Sequence, residues 1–443
     1  MSKNLSVKRT IFTGTLLLTS AGILSRFIGF FYKIFLSRVI GAEGLGIYQL
    51  IFPVMALCFS LTSAGIQTAI SKFVSKEIGN ENPAGARLYL LVGLILSVSL
   101  SILTGIYMWN YSEFIAGSFL REMRCAPLIR ILSFCYIPCS IHSCINGYYY
   151  GLKKTLVPSL SQLAEQSARV GGVYLIYMIA QSNGHSITIS DAVWGLVLGE
   201  IAGMLVSLSC IGFGACKGNI RKTTWSLLTL SFPLTVNRLT FNLFTAIENL
   251  LIPYQLKLFG YSSSDALSIY GILTGMAFAI IMFPTVLTNS ISVLLLPIVS
   301  EAQAKHNDTL IRKAIIRTTE SCLLLGLLCM IGLLLLGDFI GNFIFKNALS
   351  ATFIVTLSWI CPFLYLGSTL NSIFHGLGKP GITLFLNLIS CIIRILFIVF
   401  LIPLMGIRGY LTGLLVSQIL HCVLALLWLY RLMKQTDHAL QSV

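Results

Sequence analysis

Charge is scarce in this chain, and acid is scarcer still. Asp and Glu together number 15 in 443 residues, against 30 Lys and Arg, and all charged residues make up only 10%. A soluble domain of this length carries roughly a quarter charged residues, so a soluble globular protein is excluded. Alternating strands of about ten residues are missing, which excludes an outer-membrane barrel. A glycine-rich phosphate loop, a nucleophile elbow and paired catalytic carboxylates are missing too, so the chain is not expected to be an enzyme. Twelve cysteines are present, yet the closest group, Cys135, Cys139 and Cys144, fits neither a zinc pair nor a redox motif. Cysteine in apolar spans acts as a small hydrophobe; no cofactor or metal is expected.

What is present is apolar sequence in long runs. Hydrophobic residues make up 56% and the mean hydropathy is +0.87. A bilayer core takes about 20 apolar residues per helix, and twelve segments qualify. The first six are Ile11–Leu36, Leu45–Val74, Arg87–Met108, Ala126–Tyr149, Leu156–Ala180 and Asp191–Phe213. The second six are Leu227–Leu256, Ala266–Val299, Ile315–Leu336, Ala351–His375, Ile382–Ile402 and Gly409–Leu432. The expected fold is all-α, a polytopic membrane protein of 12 transmembrane helices. Loops on the side of the N-terminus carry most of the Lys and Arg (Lys72, Lys76, Arg87, Lys153, Lys154 and Lys222 among them). The positive-inside rule then places both termini in the cytoplasm. Much of the net charge of +15 is this bias, so nucleic acid is not expected as a partner. The basic, apolar N-terminus is too long and too charged for a signal peptide and reads as the first helix.

A duplication organises the chain. INGYYYGLKKTLVPSLSQLAEQSARV recurs as LNSIFHGLGKPGITLFLNLISCIIRI, and Asn146, Gly151, Leu152, Lys154 and Arg169 match Asn371, Gly376, Leu377, Lys379 and Arg394 at a constant offset of 225. Fainter matches link Tyr48 with Tyr270 and Glu77 with Glu301. An even repeat keeps its orientation, so the expectation is two six-helix bundles, 1–216 and 217–443, related by pseudo-two-fold symmetry about the membrane normal with substrate bound between them.

Arginine deep in a span is costly and normally faces a bundle interior or a watery cavity. Arg26, Arg169, Arg238 and Arg394 each follow a basic residue at the start of their helix by 15 to 17 residues, which predicts a cationic chamber and an anionic partner. Thr19, Arg26 and Lys33 recur at steps of seven along one helix face, flanked by Gly22 and Gly29, which permit close approach of a helix or a bulky ligand. In the seventh span Arg238, Asn242, Thr245 and Asn249 form a second stripe, with Glu248 adjacent. The candidate substrate-binding residues are therefore Arg26, Lys33, Arg238, Asn242, Asn249, Arg169 and Arg394. Glu165 lies four residues before Arg169 and either neutralises it locally or belongs to the chamber. Arg394 has no acid in its own helix. Glu165, Glu200 and Glu248 are candidates for carrying a coupling H+ or Na+, with the membrane potential as another driver. Pro53, Pro138, Pro233, Pro253, Pro284, Pro297 and Pro362 are candidate kinks. His142, His375 and His421 read as isolated buried polar residues.

With these residues in hand, the chain resembles the multidrug/oligosaccharidyl-lipid/polysaccharide (MOP) flippase superfamily. The nearest resemblance is to its branch of stage V sporulation protein B and polysaccharide biosynthesis proteins. The resemblance rests on SRFIGFFYKIFLSRVIGAEGLGIYQLIFP (Ser25–Pro53), GIQTAISKFVSKE (Gly65–Glu77) and GYYYGLKKTLVPSLSQLAEQSARV (Gly147–Val170). It implies a central cavity lined by the first, second, seventh and eighth helices, with Arg26, Lys33 and Arg238 as its cations and Glu248 as a nearby acid. It also implies a flippase, working by alternating access, for a polyprenyl-diphosphate-linked saccharide in cell-wall (spore cortex peptidoglycan) or polysaccharide synthesis. The implied partners are that lipid-linked anionic saccharide, membrane lipids and cell-wall synthesis proteins; the implied location is the cell membrane. Many lipid-flipping relatives have fourteen helices, and this chain stops at twelve, as drug exporters do. A cation-coupled multidrug exporter is therefore the alternative, although the arginine stripes argue against a cavity for organic cations.

Overall fold

The computed structural model describes the backbone of residues 2–212, 214–285, 288 and 308–441, with side chains described from residue 17 except at 308–314, 376, 380 and 433–441. Part of the expected eighth span, Pro297 and the Glu77–Glu301 match lie outside the described residues. Among the described residues the secondary structure is helical throughout. Among the described residues nine helices are long and apolar enough to cross a membrane, and the pair Ala348–Ser358 and Cys361–His375, bent by 58°, makes a tenth when counted as one broken span. Pro362 stands at the start of the second of these helices, where a missing N–H costs nothing and the preceding helix must end. The fifth and seventh expected spans are also helical, over Leu156–Ser182 and Ile220–Phe259. Glu165 and Arg169 in one, and Arg238 and Glu248 in the other, lower their average hydropathy below that of the rest.

The first span is the helix α1, Ser2–Val39. The second is α2, Gly41–Phe59, continued through a π-turn at Ser60–Ala64 into α3, Gly65–Gly79. The third is α4, Pro83–Asn110, whose N-cap Asn82 accepts from Gly85 N, filling one of the orphan donors of a helix start. The fourth ends in α5, Tyr136–Gly151; α6 is Leu156–Ser182, α7 Ile189–Ser209 and α8 Ile220–Phe259. In the second half, α9 is Ser263–Gly271, α10 Asp308–Phe339, α11 Ala348–Ser358, α12 Cys361–Gly376, α13 Pro380–Met405 and α14 Ile407–Gln441. The chain packs as two compact units, Met1–Ala246 and Ile247–Val443. Their division falls inside α8.

The duplication is visible in backbone detail. The helices Tyr136–Gly151 and Cys361–Gly376 have the same length and begin and end at the sequence offset of 225. So do the π-turns Ile115–Phe119 and Ile340–Ile344. Each π-turn leads to a residue with positive φ, Arg121 and Lys346, both at 53°. Closing hydrogen bonds repeat as well: Glu122 N donates to Ala116 O at 2.9 Å, and Asn347 N to Gly341 O at 3.0 Å. Lys154 N bonds Tyr149 O, and Lys379 N bonds Phe374 O, both at 2.9 Å. Chance similarity between apolar segments would not reproduce turns and caps at a single offset.

Candidate functional site

α1 shows two exposed faces. Leu17, Leu24 and Phe31, seven apart, are 38%, 50% and 62% exposed, an apolar stripe suited to lipid. Ala21, Ser25, Tyr32 and Leu36 form the buried stripe that holds the helix in place, and α1 packs along α6. Arg26 is exposed and Lys33 half-buried, and at 3.6 residues per turn both fall close to the side opposite the apolar stripe. Among the described residues no hydrogen bond or ion pair engages Lys33. Cβ atoms built at Gly22 and Gly29 meet nothing within 4 Å. The two glycines therefore leave open space beside the cations, where close packing of another helix was one of the expectations.

α8 repeats this division. Trp225, Phe232, Val236 and Leu243 are an exposed apolar stripe, while Arg238, Asn242, Thr245 and Asn249 share another face. Within the first unit this polar face meets the second span at its π-turn. A Cβ on Gly65 would lie 2.1 Å from Thr235 Oγ1 and 2.8 Å from Ser231 O, so only glycine admits the crossing. A π-turn leaves backbone carbonyls without their usual helical donors. Here Ser97 Oγ supplies a donor to Thr62 O at 2.7 Å, and Asn242 Nδ2 reaches across from α8 to Ser60 Oγ at 2.6 Å and to Ala56 O at 3.3 Å, a carbonyl that Ser60 N also meets. Arg238 is exposed and donates from Nη2 to Thr68 Oγ1 at 3.4 Å. Asn242 thus joins two helices, whereas Arg238 keeps most of its guanidinium uncommitted. In the second unit Asn249 Oδ1 accepts from Tyr270 OH at 3.2 Å.

The other two arginines are neutralised inside their own units. α7 carries Gly195, Gly199 and Gly203 on one ridge, and a Cβ on Gly199 would lie 2.8 Å from Glu165 O. This small-residue seam lets α6 and α7 touch backbone to backbone, which drives Glu165 and Arg169 against Glu200. Arg169 Nη2 donates to Glu165 Oε1 at 2.5 Å, the pair four apart expected from sequence, and lies 4.0 Å from Glu200 Oε1. Glu200, 4% exposed, meets His142 Nε2 at 2.8 Å. In the second unit Arg394 Nε donates to Glu248 Oε1 at 2.7 Å, and Glu248 also accepts from Tyr410 OH at 3.2 Å and from Cys391 Sγ at 3.5 Å.

His142 is therefore not isolated, and neither is His421, whose Nδ1 lies 3.1 Å from Ser390 Oγ. Sequence inspection missed both because each partner lies on another helix. A usable signal was present in the Gly195, Gly199, Gly203 spacing, which marks the face of α7 that Glu200 flanks. Of the candidate residues, the structure brings together Glu165, Arg169 and Glu200 in one unit and Glu248 and Arg394 in the other. Arg26 and Lys33 lie on α1, and Arg238 lies on the first-unit part of α8.

The fold is that of a MOP-superfamily membrane transporter. A multidrug resistance MATE family transporter of that superfamily, in an inward-facing conformation, matches with a TM-score of 0.78 over 96% of this chain and 99% of its own, at 15% identity. A superfamily transporter from Pyrococcus furiosus, described with a binding pocket of reversed polarity, matches with a TM-score of 0.68 over 97% and 96%, also at 15% identity. Identity at this level speaks for the fold alone. Sequence narrows the class: residues 11–303 match the model of the polysaccharide biosynthesis proteins, and the chain belongs to that family. Stage V sporulation protein B of Bacillus subtilis is 26% identical over 94% of this chain and 83% of its own length. The lipid II flippase MurJ of the same organism is 22% identical over 89% and 78%. The protein is a multi-pass membrane transporter of the flippase type, not an enzyme.

Proposed function

We propose that the protein flips a polyprenyl-diphosphate-linked saccharide for cell-wall or polysaccharide synthesis. The observation that carries this reading is the division of the deep basic residues. Arg169 and Arg394 are spent on buried carboxylates, while Lys33 and Arg238 have no carboxylate partner among the described residues. Lys33 and Arg26 also lie on the face of α1 turned away from its lipid-suited stripe. Lys33 and Arg238, without a carboxylate partner among the described residues, suit an anionic headgroup, which arginine binds bidentately through charge-assisted hydrogen bonds. The relationship to lipid II flippase MurJ and to stage V sporulation protein B supports the lipid-linked class.

In this mechanism Arg26, Lys33 and Arg238 take the diphosphate while the lipid tail stays in the bilayer. The two halves of the duplicated chain, 1–216 and 217–443, alternate access to either side of the cytoplasmic membrane, with both termini in the cytoplasm. The membrane potential drives the return of the empty site, at about 2.3 kcal/mol per charge per 100 mV. The deciding experiment is native mass spectrometry of the purified protein with undecaprenyl-diphosphate-linked saccharide, and with neutral polyprenol as control. Selective binding of the diphosphate lipid, lost in the Arg26→Ala/Arg238→Ala variant, is the expected result. Equal binding of both lipids, unchanged by the substitutions, overturns the reading in favour of organic-cation export.

A further inference from the structure

One buried cluster in the first unit is not used by the transport mechanism. Cys139 and His142, three apart on α5, point to the same side of that helix, and Glu200 reaches them from α7. Their donor atoms all lie within 4.8 Å of one another, and all three residues are buried. We propose that Cys139, His142 and Glu200 bind a zinc-class divalent metal ion that ties α5 to α7 inside the first unit. Thiol, imidazole and carboxylate are the donors zinc takes, at about 2.0–2.3 Å, and the thiol selects a soft or borderline metal over sodium, magnesium or calcium.

Two independent observations point to a cation here. The first is the hydrogen bonding of Asn146, whose Nδ2 lies 3.4 Å from His142 Nδ1 while its Oδ1 is buried without a partner. The O and N of a side-chain amide are assigned from the network around them. Turned over, the amide places Oδ1 where it accepts Nδ1–H, the second-shell bond that a metal-bound histidine makes. His142 Nε2 then faces Glu200 Oε2 at 2.8 Å, an arrangement that takes either a proton or a metal ion between the two atoms. Around a tetrahedral ion with bonds of about 2.0–2.1 Å the two atoms separate to about 3.3 Å, a shift within side-chain freedom.

The second observation is charge. Glu165 and Glu200 share the single guanidinium of Arg169, which lies against Glu165 and 4.0 Å from Glu200 Oε1, so the two buried carboxylates call for one further positive charge. A divalent ion with the Glu200 carboxylate and a Cys139 thiolate is neutral overall. A proton on His142 would balance Glu200 as well, so Cys139 is the discriminating ligand. The second unit has no such donor set: at the offset of 225, Cys139, His142 and Glu200 correspond to Leu364, Gly367 and Ala425. The site belongs to one copy of the duplication alone.

The test is a Co2+ titration of the purified full-length protein, stripped with chelator and carrying Cys216→Ser to remove an exposed thiol, followed by absorption spectroscopy. The expected result is saturation at one equivalent, with the visible bands of four-coordinate cobalt and a near-ultraviolet thiolate-to-cobalt band, both erased by one equivalent of Zn2+. Cys139→Ser loses the thiolate band, and His142→Gln or Glu200→Gln weakens Co2+ binding about tenfold or more. A titration without a saturable band, or a thiolate band that survives Cys139→Ser, overturns the proposal and leaves an imidazolium–carboxylate pair. The parent titration decides the matter even if a variant fails to fold. Lipid binding is not the readout, so the result is independent of the flippase reading.

Discussion

Arg394 Nε and Glu248 Oε1 lie 2.7 Å apart although 146 residues separate them in sequence. Both side chains are largely buried, at 15% and 7% exposure, and Tyr410 and Cys391 complete the hydrogen bonding of the carboxylate. The equivalent arginine of the first unit, Arg169, is neutralised differently, by Glu165 on its own helix. The duplicated arginine is retained, while its counter-ion has come from different places. Removing one partner of a buried pair strands the other and costs about 3–5 kcal/mol, whereas replacing both with apolar groups of similar volume is close to neutral. Glu248→Leu and Arg394→Met are each expected to lower the thermal unfolding midpoint in detergent sharply, and the double substitution to recover most of the loss. A double variant no better than the worse single one would show that the pair does not act as a unit.

The half-buried Lys33 and the exposed Arg238 are expected to behave in the opposite way. Lys33→Ala and Arg238→Ala remove groups without carboxylate partners among the described residues, so stability should move by no more than about 0.5 kcal/mol. Binding of the diphosphate lipid should fall at least tenfold for each, read by native mass spectrometry beside the unfolding midpoint. Arg169→Ala should show the reverse order, a large loss of stability first. A Lys33→Ala protein that unfolds early but binds lipid normally would reassign that stripe to packing.

Much of this was legible in the sequence because membrane helices declare themselves through apolar runs and because short-range pairs follow from helix geometry. The Glu165–Arg169 pair needs only a spacing of four. The duplication needs only Asn146, Gly151, Lys154 and Arg169 at one offset from their counterparts, and the repeated π-turns and positive-φ residues follow it. Contacts between helices were another matter. His142–Glu200 and Glu248–Arg394 depend on which faces meet, and that is set by close packing along ridges such as Gly195, Gly199 and Gly203. The π-turn at Ser60–Ala64 was also out of reach, since the side chains that bond it, Ser97 at Thr62 O and Asn242 at Ser60 Oγ, come from elsewhere in the chain.

That crossing yields a third expectation. A Cβ on Gly65 would overlap Thr235 Oγ1, at 2.1 Å, and press on Ser231 O, at 2.8 Å. The hydroxyl can be removed, but the carbonyl cannot. Gly65→Ala should therefore destabilise by about 1–3 kcal/mol, as overpacking does, and adding Thr235→Ala should restore only part of it. The unfolding midpoints of the two variants decide; full restoration would mean that the backbone of α8 shifts more freely than the crossing suggests.

The turn after the fourth span and its repeat offer a matched experiment in backbone strain. Lys153 adopts φ 59°, and its counterpart at the offset of 225, Gly378, adopts φ 68°. A left-handed conformation costs a side-chain-bearing residue roughly 1–2 kcal/mol, and glycine almost nothing. The bonds around the turn are shared, Lys153 N to Tyr150 O at 3.0 Å and Gly378 N to His375 O at 3.1 Å, so the two positions differ mainly in the strain. Lys153→Gly should raise the midpoint or leave it unchanged, since relief of strain is offset by the greater entropy of glycine in the unfolded chain. Gly378→Lys should lower it by the equivalent of about 1 kcal/mol. Both changes lie far from the cationic faces in sequence and remove no side chain assigned to lipid binding, so flippase activity at permissive temperature should persist in each. If Gly378→Lys unfolds at the same temperature as the parent, the second turn does not need its glycine, and the resemblance between the two turns is one of shape without shared energetics.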